Sequence, residues 1–548
     1  MQDRCAGSSV PGRVLFPLGL FLAAAAAYGA SLGAPFVMDD RANILDNSTI
    51  RALWPLPWYG PAGSVAAGRP VANLSFALSH ALSGLAPWGY RAVNVLIHIA
   101  AMLLVYGIVG RSLALPRLRE RFGAHARTLA FFSALLWGLH PLDTQAVTYI
   151  SQRFESLAAM LVLAALYCAI RSWEGTRAGW WGAGSALAML LAVGTKETAA
   201  VGPGMVYLFE AVLVRGSFRE AARRSWKLYA GFLPALAWLG YLAGLGGTAQ
   251  TIDFTKFTPW EYLITETRVI SHYLRLAVFP YPLVMDYAWP KETLAGVWPF
   301  ALALAALLAA AMGGVAGKSP AALCGALFFL ALLVSSSVFP LMDAAFEYRM
   351  YLPLVPLCVL AVLGAFRLAG NREARTLLVL AGCAVAFALG LATFARNRDF
   401  RSEAALWADT AAKRPQNARA FASLGFALAE AGDCDKAVEV YEKTLMLAPD
   451  AWDTWYNLGN CMMVMGRPRE AARYYQRSLL LRPVNASAHR NLAQAYLLLS
   501  DPAAAERELR LTLIYNPDHP EARKDLAGLL GQEGEDKIPG TTLTSPSK

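Results

Sequence analysis

The feature of the sequence that most constrains the fold is a series of long apolar runs that fills the chain as far as residue 395. A membrane span needs about 20 apolar residues to cross about 30 Å of hydrocarbon. Eleven spans are predicted, of which the third is short. They lie near 14–33, 92–110, 128–139, 156–170, 179–194, 198–214, 228–247, 297–316, 320–339, 351–366 and 376–395. We therefore expect an all-α, polytopic transmembrane helix bundle.

The first apolar run has two interpretations. Arg4 and Arg13 precede it, and the stretch 27–30 reads Ala-Tyr-Gly-Ala, which resembles the cleavage site of a signal peptide. Its apolar stretch is long for a signal peptide, so a retained anchor is favoured.

Composition excludes several classes of protein. Hydrophobic residues make up 56% of the chain and charged residues 16%, against about a quarter charged in soluble proteins, which argues against a soluble enzyme. The net charge of +10 comes mostly from arginines in short loops, so no nucleic-acid partner is expected. Four of the seven cysteines lie inside apolar runs and are predicted to be small core hydrophobes, not a disulfide framework or metal site. They are Cys168, Cys324, Cys358 and Cys383.

Basic residues crowd two of the loops between spans. They are Arg111, Arg117, Arg119, Arg121 and Arg127 in the second loop, and Arg215, Arg219, Arg223, Arg224 and Lys227 in the sixth. Such loops usually face the cytoplasm, which puts loops 34–91, 140–155, 195–197 and 340–350 outside. The charged segment 261–280 is predicted to be an amphipathic helix at the outer surface. The C-terminus then lies outside, although Arg396, Arg398 and Arg401 beyond the last span weaken this assignment.

The C-terminal region repeats itself every 34 residues. Leu424-Gly425 recurs as Leu458-Gly459, Ala437 recurs as Ala471 and Ala505, and Pro449 recurs as Pro483 and Pro517. This is the tetratricopeptide period, so an α-solenoid is predicted. A half repeat containing Trp407 is followed by full repeats at 418–451, 452–485 and 486–519 and a capping helix at 520–531. The predicted domains are 1–396, 397–532 and a disordered tail at 533–548.

A solenoid of this kind offers a concave surface to an extended peptide or protein partner. We predict that Trp407, Tyr441, Trp455 and Tyr475 contribute to acceptor binding, and that the array binds a protein or peptide. A purely structural spacer is the alternative.

Polar residues cluster in the loops assigned to the outside. Asp39 and Asp40 follow the first span, and carboxylates at a membrane boundary need a partner, a metal or a catalytic task. One of the pair is predicted to be a general base while the other orients it or binds a cation. An Asp-Asp turn or helix cap is the structural alternative.

Further polar residues follow in the same group of loops and at adjoining span ends. They are Arg69, His98, His140, Arg153, Lys196, Glu197 and Arg349. Several cations and two carboxylates on one face of a bundle suit an anionic lipid phosphate, held while a carboxylate deprotonates an acceptor. These seven residues are predicted to bind the donor. Taken singly, His98 also fits a histidine inside the membrane whose hydrogen bonds are satisfied by the protein. Lys196 and Glu197 also fit an ion pair at the membrane interface.

The order of these motifs resembles a known family. Asp39-Asp40, Arg69-Pro70, Gly89-Tyr90 with Asn94 and His98, His140-Pro141, Arg153, Lys196-Glu197 and Tyr351-Leu352-Pro353 precede tetratricopeptide repeats. This order is similar to that of the transmembrane and tetratricopeptide-repeat-containing O-mannosyltransferases, and more broadly to GT-C membrane glycosyltransferases.

The resemblance implies an inverting transfer of a sugar from a polyprenyl-phosphate donor to Ser/Thr hydroxyl groups of proteins at the lumenal or periplasmic face. Asp39 and Asp40 match the family's acidic pair. No cofactor is implied with certainty, and a divalent metal is left open. The short array looks bacterial, which places the protein in the inner membrane with periplasmic repeats, or in the endoplasmic reticulum membrane if the source is eukaryotic.

The chain departs from the family where Tyr348 separates Glu347 from Arg349. Two alternatives stay open. One is transfer to a glycolipid or cell-wall polymer, and the other is a non-catalytic scaffold of the envelope. The sequence does not name the sugar or the acceptor site.

Overall fold

The computed structural model describes residues 10–56, 60–61, 64, 66–175, 177–244 and 254–531. The tail predicted to be disordered, 533–548, lies outside the described residues. The chain divides into two compact units, Met1–Ser402 and Glu403–Lys548. The predicted boundary at 396 and 397 falls three residues before the end of a helix that reaches Asp399.

In the described ranges the regular elements of the first unit are helical, as predicted. They are α1 (Val10–Tyr28), α2 (Pro70–Ser83), α3 (Pro87–Ala114), α4 (Pro116–Phe122), α5 (Ala126–Gly138), α6 (Thr144–Thr148), α7 (Arg153–Trp173), α8 (Ala178–Val193), α9 (Gly202–Phe209), α10 (Phe218–Arg224), α11 (Trp226–Ala230), α12 (Leu233–Gly244), α13 (Pro259–Val278), α14 (Leu294–Ala316), α15 (Pro320–Leu332), α16 (Leu354–Leu368) and α17 (Arg372–Asp399). Short 3-10 or π turns extend several of them.

Six helical segments are long and apolar enough to cross a membrane. They are Val14–Ser31, Pro87–Ala114, Ile150–Trp173, Glu197–Arg215, Leu294–Ala316 and Arg372–Asp399. Three shorter apolar helices, α8, α15 and α16, join them. The transmembrane bundle is thus confirmed, and the number of eleven spans stays a prediction.

The centre of the bundle is α3, which packs against α5 and α7, and α7 packs in turn against α8. The outer helices α14 and α17 expose large apolar side chains such as Leu302 and Phe387. Contiguous exposed apolar surface is rare on soluble monomers. These faces therefore suit contact with lipid.

Charged loops gather at one end of the bundle, which we call the basic end. There Arg111 pairs with Glu174 at 2.7 Å, Arg117 donates to the carbonyl of Val212, and Arg375 approaches His125. These contacts bring together the loops that the arginine pattern assigned to the cytoplasm. The side of the membrane that this end faces stays a prediction.

The predicted outer loops meet at the opposite end, which we call the site end. Helix α13 lies there, and its predicted place at the membrane interface stays a prediction. Its Tyr262 hydroxyl donates to the carbonyl of Ser335 at 2.9 Å. Helix α17 also ends there, because Asn397 accepts a hydrogen bond from the Thr148 hydroxyl at 2.5 Å.

The second unit consists of helix pairs with the predicted 34-residue repeat. They are α18 (Glu403–Lys413), α19 (Ala418–Glu430), α20 (Cys434–Leu447), α21 (Trp452–Val464), α22 (Pro468–Leu481), α23 (Ala486–Leu498), α24 (Pro502–Tyr515) and α25 (Pro520–Leu530). The glycines at the repeated Leu-Gly step allow close packing within each pair. Gly425 lies against the ring of Tyr441, and Gly459 against that of Tyr475.

We expect Gly459→Ala to destabilise the repeats. A Cβ atom at this position would lie 2.4 Å from Cε1 of the buried Tyr475, and overpacking of this kind costs about 1–3 kcal/mol. Gly528→Ala is the matched control, because a Cβ at this helical glycine meets no atom within 4 Å. Thermal unfolding of the full-length chain should show a lower transition for the first variant only. Equal transitions for the two variants would contradict this account of the Leu-Gly step.

The stability of the repeats should also depend on the charge of His489. Its Nε2 contacts the carbonyl of Pro483 at 2.9 Å and its Nδ1 contacts Oε2 of Glu508 at 2.6 Å. Both nitrogens must donate, so the geometry suits the protonated ring. Burial lowers the pKa of His489, but the hydrogen bonds to Glu508 and Pro483 outweigh it and raise the pKa.

A group whose pKa is raised by folding contributes its full stabilisation below its unfolded pKa and loses it as the pH rises through the folded pKa. We therefore expect the unfolding temperature of the repeats to fall as the pH rises above about 6.5, the ordinary pKa of His, through loss of a charged hydrogen bond of about 1.5–3 kcal/mol. In His489→Gln this part of the pH dependence should disappear. A wild-type profile that is retained in the variant would exclude His489 as its source.

Candidate active site

The buried member of the acidic pair is Asp40. Its Oδ1 accepts hydrogen bonds from the backbone N–H and the hydroxyl of Ser151, at 2.8 and 2.6 Å. Its Oδ2 accepts from the N–H of Val37 at 3.1 Å. Burial raises the pKa of Asp40 to about 6, against the opposing effect of these hydrogen bonds and of Arg91. The Asp40 carboxylate therefore ties the loop after α1 to the loop before α7.

The accessible member of the pair is Asp39, whose side chain is exposed. Its backbone N–H donates to the Tyr149 hydroxyl at 3.0 Å. Desolvation by the surrounding protein raises the pKa of Asp39, and the side-chain hydrogen bond with Tyr149 opposes that shift. Asp39 is thus a carboxylate that solvent or a substrate can reach and whose affinity for a proton is increased.

A fully buried arginine that the sequence reasoning missed supports this pair. Arg91 donates through Nε to the carbonyl of Thr148 at 3.1 Å, and through its two other nitrogens to the carbonyls of Ala34 and Pro35. It also interacts electrostatically with Asp40. A basic residue near the start of an apolar helix was the available signal, because a charge there needs a partner.

Arg153 lies in a similar buried network. Its Nε donates to Oδ1 of Asn94 at 2.6 Å, its Nη1 to the carbonyl of Ser75 at 2.9 Å, and its Nη2 to the carbonyl of Tyr90 at 2.7 Å. The side chain is fully buried. This arrangement favours positioning of α2 and α3 against α7, and its predicted contact with a donor stays a prediction.

Two ion pairs adjoin this framework. Lys196 Nζ lies 2.6 Å from Oε2 of Glu155, and Arg69 Nη2 lies 2.9 Å from Oε1 of Glu197. The predicted residues Arg69, Lys196 and Glu197 are therefore brought together from loops that are more than 100 residues apart. Lys196 and Arg69 are largely buried, so both cations are held in a partly desolvated region.

Tyr348 interacts with residues of both the ion pairs and the acidic pair. Its backbone N–H donates to Oε1 of Gln145 at 3.0 Å, and Lys196 Nζ lies 5.0 Å from the centre of its ring. Burial raises the pKa of Tyr348, which also experiences the charges of Lys196, Arg349, Glu155 and Asp39. The residue at which the chain departs from the family pattern thus lies among the predicted site residues.

Arg349 is enclosed by protein groups. Its Nη1 donates to the carbonyl of Ala344 at 2.6 Å and to the Tyr262 hydroxyl at 3.1 Å, and its Nη2 donates to the carbonyl of Asp343 at 2.5 Å. Glu266 lies 3.6 Å away, and burial raises the pKa of this carboxyl to about 7. Arg349 would have to exchange these partners to bind a phosphate, so Lys196 is the better candidate.

The two predicted histidines are also engaged. His98 contacts the Tyr351 hydroxyl at 2.7 Å and the carbonyl of Gly138 at 2.9 Å. His140 contacts the carbonyl of Ala277 at 3.3 Å and accepts from the N–H of Leu142. Burial lowers the pKa of His140 to about 4, so this ring is neutral at pH 7. Positioning roles are favoured for both, and donor binding by either stays a prediction.

The four aromatic residues predicted to contact an acceptor differ in exposure. Trp407, Tyr441 and Tyr475 are buried, at 2%, 0% and 1% of their surface, and therefore present no face to a partner as the chain stands. Trp455 is partly exposed and stacks on Tyr474 with ring centres 5.8 Å apart. Of the four, Trp455 is thus the best placed to contact an acceptor.

Metal binding was left open by the sequence. Among the described residues, no group of three or more His, Cys, Asp or Glu side chains is arranged to hold a metal ion. In the pair of Asp39 and Asp40, both oxygens of Asp40 already accept hydrogen bonds from protein donors.

Known proteins are similar to this chain both in the repeats and over most of its length. Family models of the tetratricopeptide repeat match residues 428–480 and 463–520. The protein O-mannosyl-transferase F38B6.6 of Caenorhabditis elegans is 24% identical over 446 residues, which are 77% of this chain and 61% of that protein. Human protein O-mannosyl-transferase TMTC3 is 24% identical over 504 residues, 81% of this chain and 52% of that protein.

The predicted resemblance to the O-mannosyltransferase family is confirmed. A shorter match, to mouse TMTC1, is 34% identical over 32% of this chain and 20% of that protein. The chain spans less than two thirds of the length of these relatives. Among solved structures, ArnT from Cupriavidus metallidurans bound to undecaprenyl phosphate is similar with a TM-score of 0.39 and 16% identity, covering 87% of this chain and 81% of that chain.

Proposed function

We propose that this chain is a membrane glycosyltransferase that moves a sugar from a polyprenyl phosphate to Ser or Thr hydroxyl groups of proteins outside the cytoplasm. The observation that carries the proposal is that the accessible Asp39 carboxylate and the buried Lys196 ammonium group both interact electrostatically with Tyr348, at one end of an apolar bundle. The names of the curated relatives, protein O-mannosyl-transferases, support the reaction class.

In the proposed reaction Asp39 is the general base. It accepts the proton of the acceptor hydroxyl while the hydroxyl oxygen forms a bond to the anomeric carbon, and the bond from that carbon to the phosphate oxygen breaks. The polyprenyl phosphate leaves with the electron pair. A raised pKa suits a base of this kind, because proton transfer is most effective when the pKa lies near the working pH. Asp40, Arg91 and Arg153 are positioning residues for the loops that hold Asp39.

Lys196 is proposed to stabilise the phosphate. Its ammonium group lies in a partly desolvated region, where a charge interacts more strongly than in water. Its present partner, Glu155, is a carboxylate at 2.6 Å, which an anionic phosphate would replace or join. Arg69, paired with Glu197, is proposed to hold the neighbouring loop beside it.

We expect Lys196→Gln to weaken the use of the donor. Loss of one hydrogen bond to a charged group costs about 1.5–3 kcal/mol, which is about 10- to 150-fold in apparent affinity. Transfer by the purified enzyme is measured against the concentration of a polyprenyl-phosphate sugar. Arg111→Gln is the matched control, because it also breaks an ion pair with a glutamate but lies at the basic end. Unchanged donor dependence in folded Lys196→Gln would remove this residue from the donor site.

The function itself is tested by mass spectrometry of envelope glycoproteins in strains with the wild-type gene, without it, and with Asp39→Asn in its place. We expect Ser- or Thr-linked glycan in the first strain alone. Glycan lost from a lipid or cell-wall polymer but kept on proteins would favour that alternative acceptor. Glycan kept in the Asp39→Asn strain and lost in the deletion strain would favour a scaffold.

A further inference from the structure

Two cysteines of the repeats belong to one small buried cluster. Cys434 is the first residue of α20, and Cys461 lies in α21, the first helix of the next repeat. Both are free thiols in this structure, and, besides burial, the neighbouring Cys434 contributes to the raised pKa of Cys461. Both belong to one apolar cluster that also contains Ala437, Tyr441 and Leu458. Two thiols from consecutive repeats therefore meet in the core of the array.

We propose that Cys434 and Cys461 form a disulfide bond that links the first full repeat to the second in the mature protein. The proposal depends on the proposed position of the repeats outside the cytoplasm, because disulfides form and persist in oxidising compartments. It goes beyond the expectation for Cys168, Cys324, Cys358 and Cys383, the four cysteines inside apolar runs, which it leaves unchanged.

The reaction needs an oxidant, and a thiol–disulfide oxidoreductase is the class that supplies one. One cysteine thiolate attacks the disulfide of the oxidant and forms a mixed disulfide, and the second cysteine then displaces the oxidant. Cys434 and Cys461 lose two protons and two electrons in total and gain one S–S bond. The disulfide of the oxidant is reduced to two thiols.

The bond must form while the repeats fold. Cys434 and Cys461 are exposed over only 7% and 1% of their surface in the folded chain. Burial also raises the pKa of the Cys461 thiol to about 12, and the thiolate is the reactive form. The folded array would therefore protect the disulfide from reduction once it has formed.

A link at this place would stabilise the array. Each repeat of a solenoid contacts only its neighbours. If the first two full repeats separate, the first one therefore loses its contact with the rest of the array. A disulfide limits the conformations of the unfolded chain between the two cysteines. We expect reduction to lower the unfolding temperature of the repeats by about 5–15 °C.

The test uses the full-length chain purified from membranes. The protein is denatured and alkylated without reductant, then digested and analysed by mass spectrometry. We expect a linked pair of peptides containing Cys434 and Cys461, with a mass lower by two hydrogens than the sum of the reduced peptides. Reduction before alkylation should release both. In C434S the Cys461 thiol should become alkylated, whereas C383S, a change in α17, should leave the link intact.

Alkylation of both thiols in the wild-type chain without reductant would overturn the proposed disulfide. A reporter that is active only outside the cytoplasm, fused at residue 535, then separates two causes. An active reporter means that the cysteines stay reduced in an oxidising compartment. An inactive reporter, with activity of a cytoplasm-only reporter at the same position, means that the proposed location of the repeats is wrong as well.

Discussion

Replacing Asp39 with Asn is expected to lower sugar transfer by about 10²- to 10⁴-fold, the usual contribution of a general base. Asn is close to Asp in shape but does not accept the proton. The side chain is exposed, and the oxygen of an Asn side chain can still accept the hydrogen bond that Tyr149 makes to the Asp39 side chain. Expression, membrane insertion and donor binding should therefore stay near wild type. Transfer is measured with purified enzyme, a polyprenyl-phosphate sugar and an acceptor peptide.

The pH dependence offers a second measurement of the same role. A base must be unprotonated to act, and desolvation raises the pKa of Asp39. Transfer should therefore fall on the acid side at a pH above the ordinary value for Asp, about 3.9. This acidic limb should be absent from the residual activity of Asp39→Asn.

Asp40→Asn is the informative comparison. Its carboxylate oxygens accept hydrogen bonds from Ser151 and Val37, and an amide NH₂ in place of one oxygen would face a donor. A buried donor without an acceptor costs about 1–3 kcal/mol, so this variant should lose thermal stability as well as activity. Wild-type transfer by both variants would place the catalytic centre elsewhere and favour the scaffold alternative.

Truncation after Ser402 is expected to lower transfer to protein acceptors by about 10²-fold or more, while transfer to a short peptide is retained. A second binding site raises the overall affinity by about 10²- to 10⁴-fold when both sites engage one partner, and the repeats are proposed to be that second site. The cut follows the boundary between the two compact units. It therefore keeps α17 whole, with its Asn397 contact to Thr148.

Truncation after Gly531 is the matched control, because it keeps α18 to α25 and removes only residues 532–548. It should transfer sugar to proteins as well as the full chain does. Glycosylation of the same proteins at the same sites by the chain that ends at Ser402 would show that the repeats are a spacer.

The sequence by itself determined the elements whose signal is local. Apolar runs predicted the long helices of the bundle, such as α3, α7, α14 and α17, and the 34-residue period predicted each helix pair from α19 to α24. Both signals come from residues that are close together along the chain. A helix in lipid needs about 20 apolar residues in a row, and each repeat has a large and a small residue at fixed positions. Arginine content also assigned loops 111–127 and 215–227 to one end, and Arg117 contacts Val212 next to the second of them.

Tertiary structure decided what each polar side chain touches. Asp39 and Asp40 are adjacent and identical in sequence, yet one is exposed and the other is tied to Ser151, more than 100 residues away. In the sequence Arg349 is a cation in a loop with no evident partner. In the structure its acceptors are Tyr262 of α13 and the carbonyl of Ala344, which lies shortly before Arg349 in the chain. A buried charge is stabilised by groups brought from distant parts of the chain. Partners of this kind leave no periodic signal, so only the packed bundle distinguished the accessible carboxylate from the buried one.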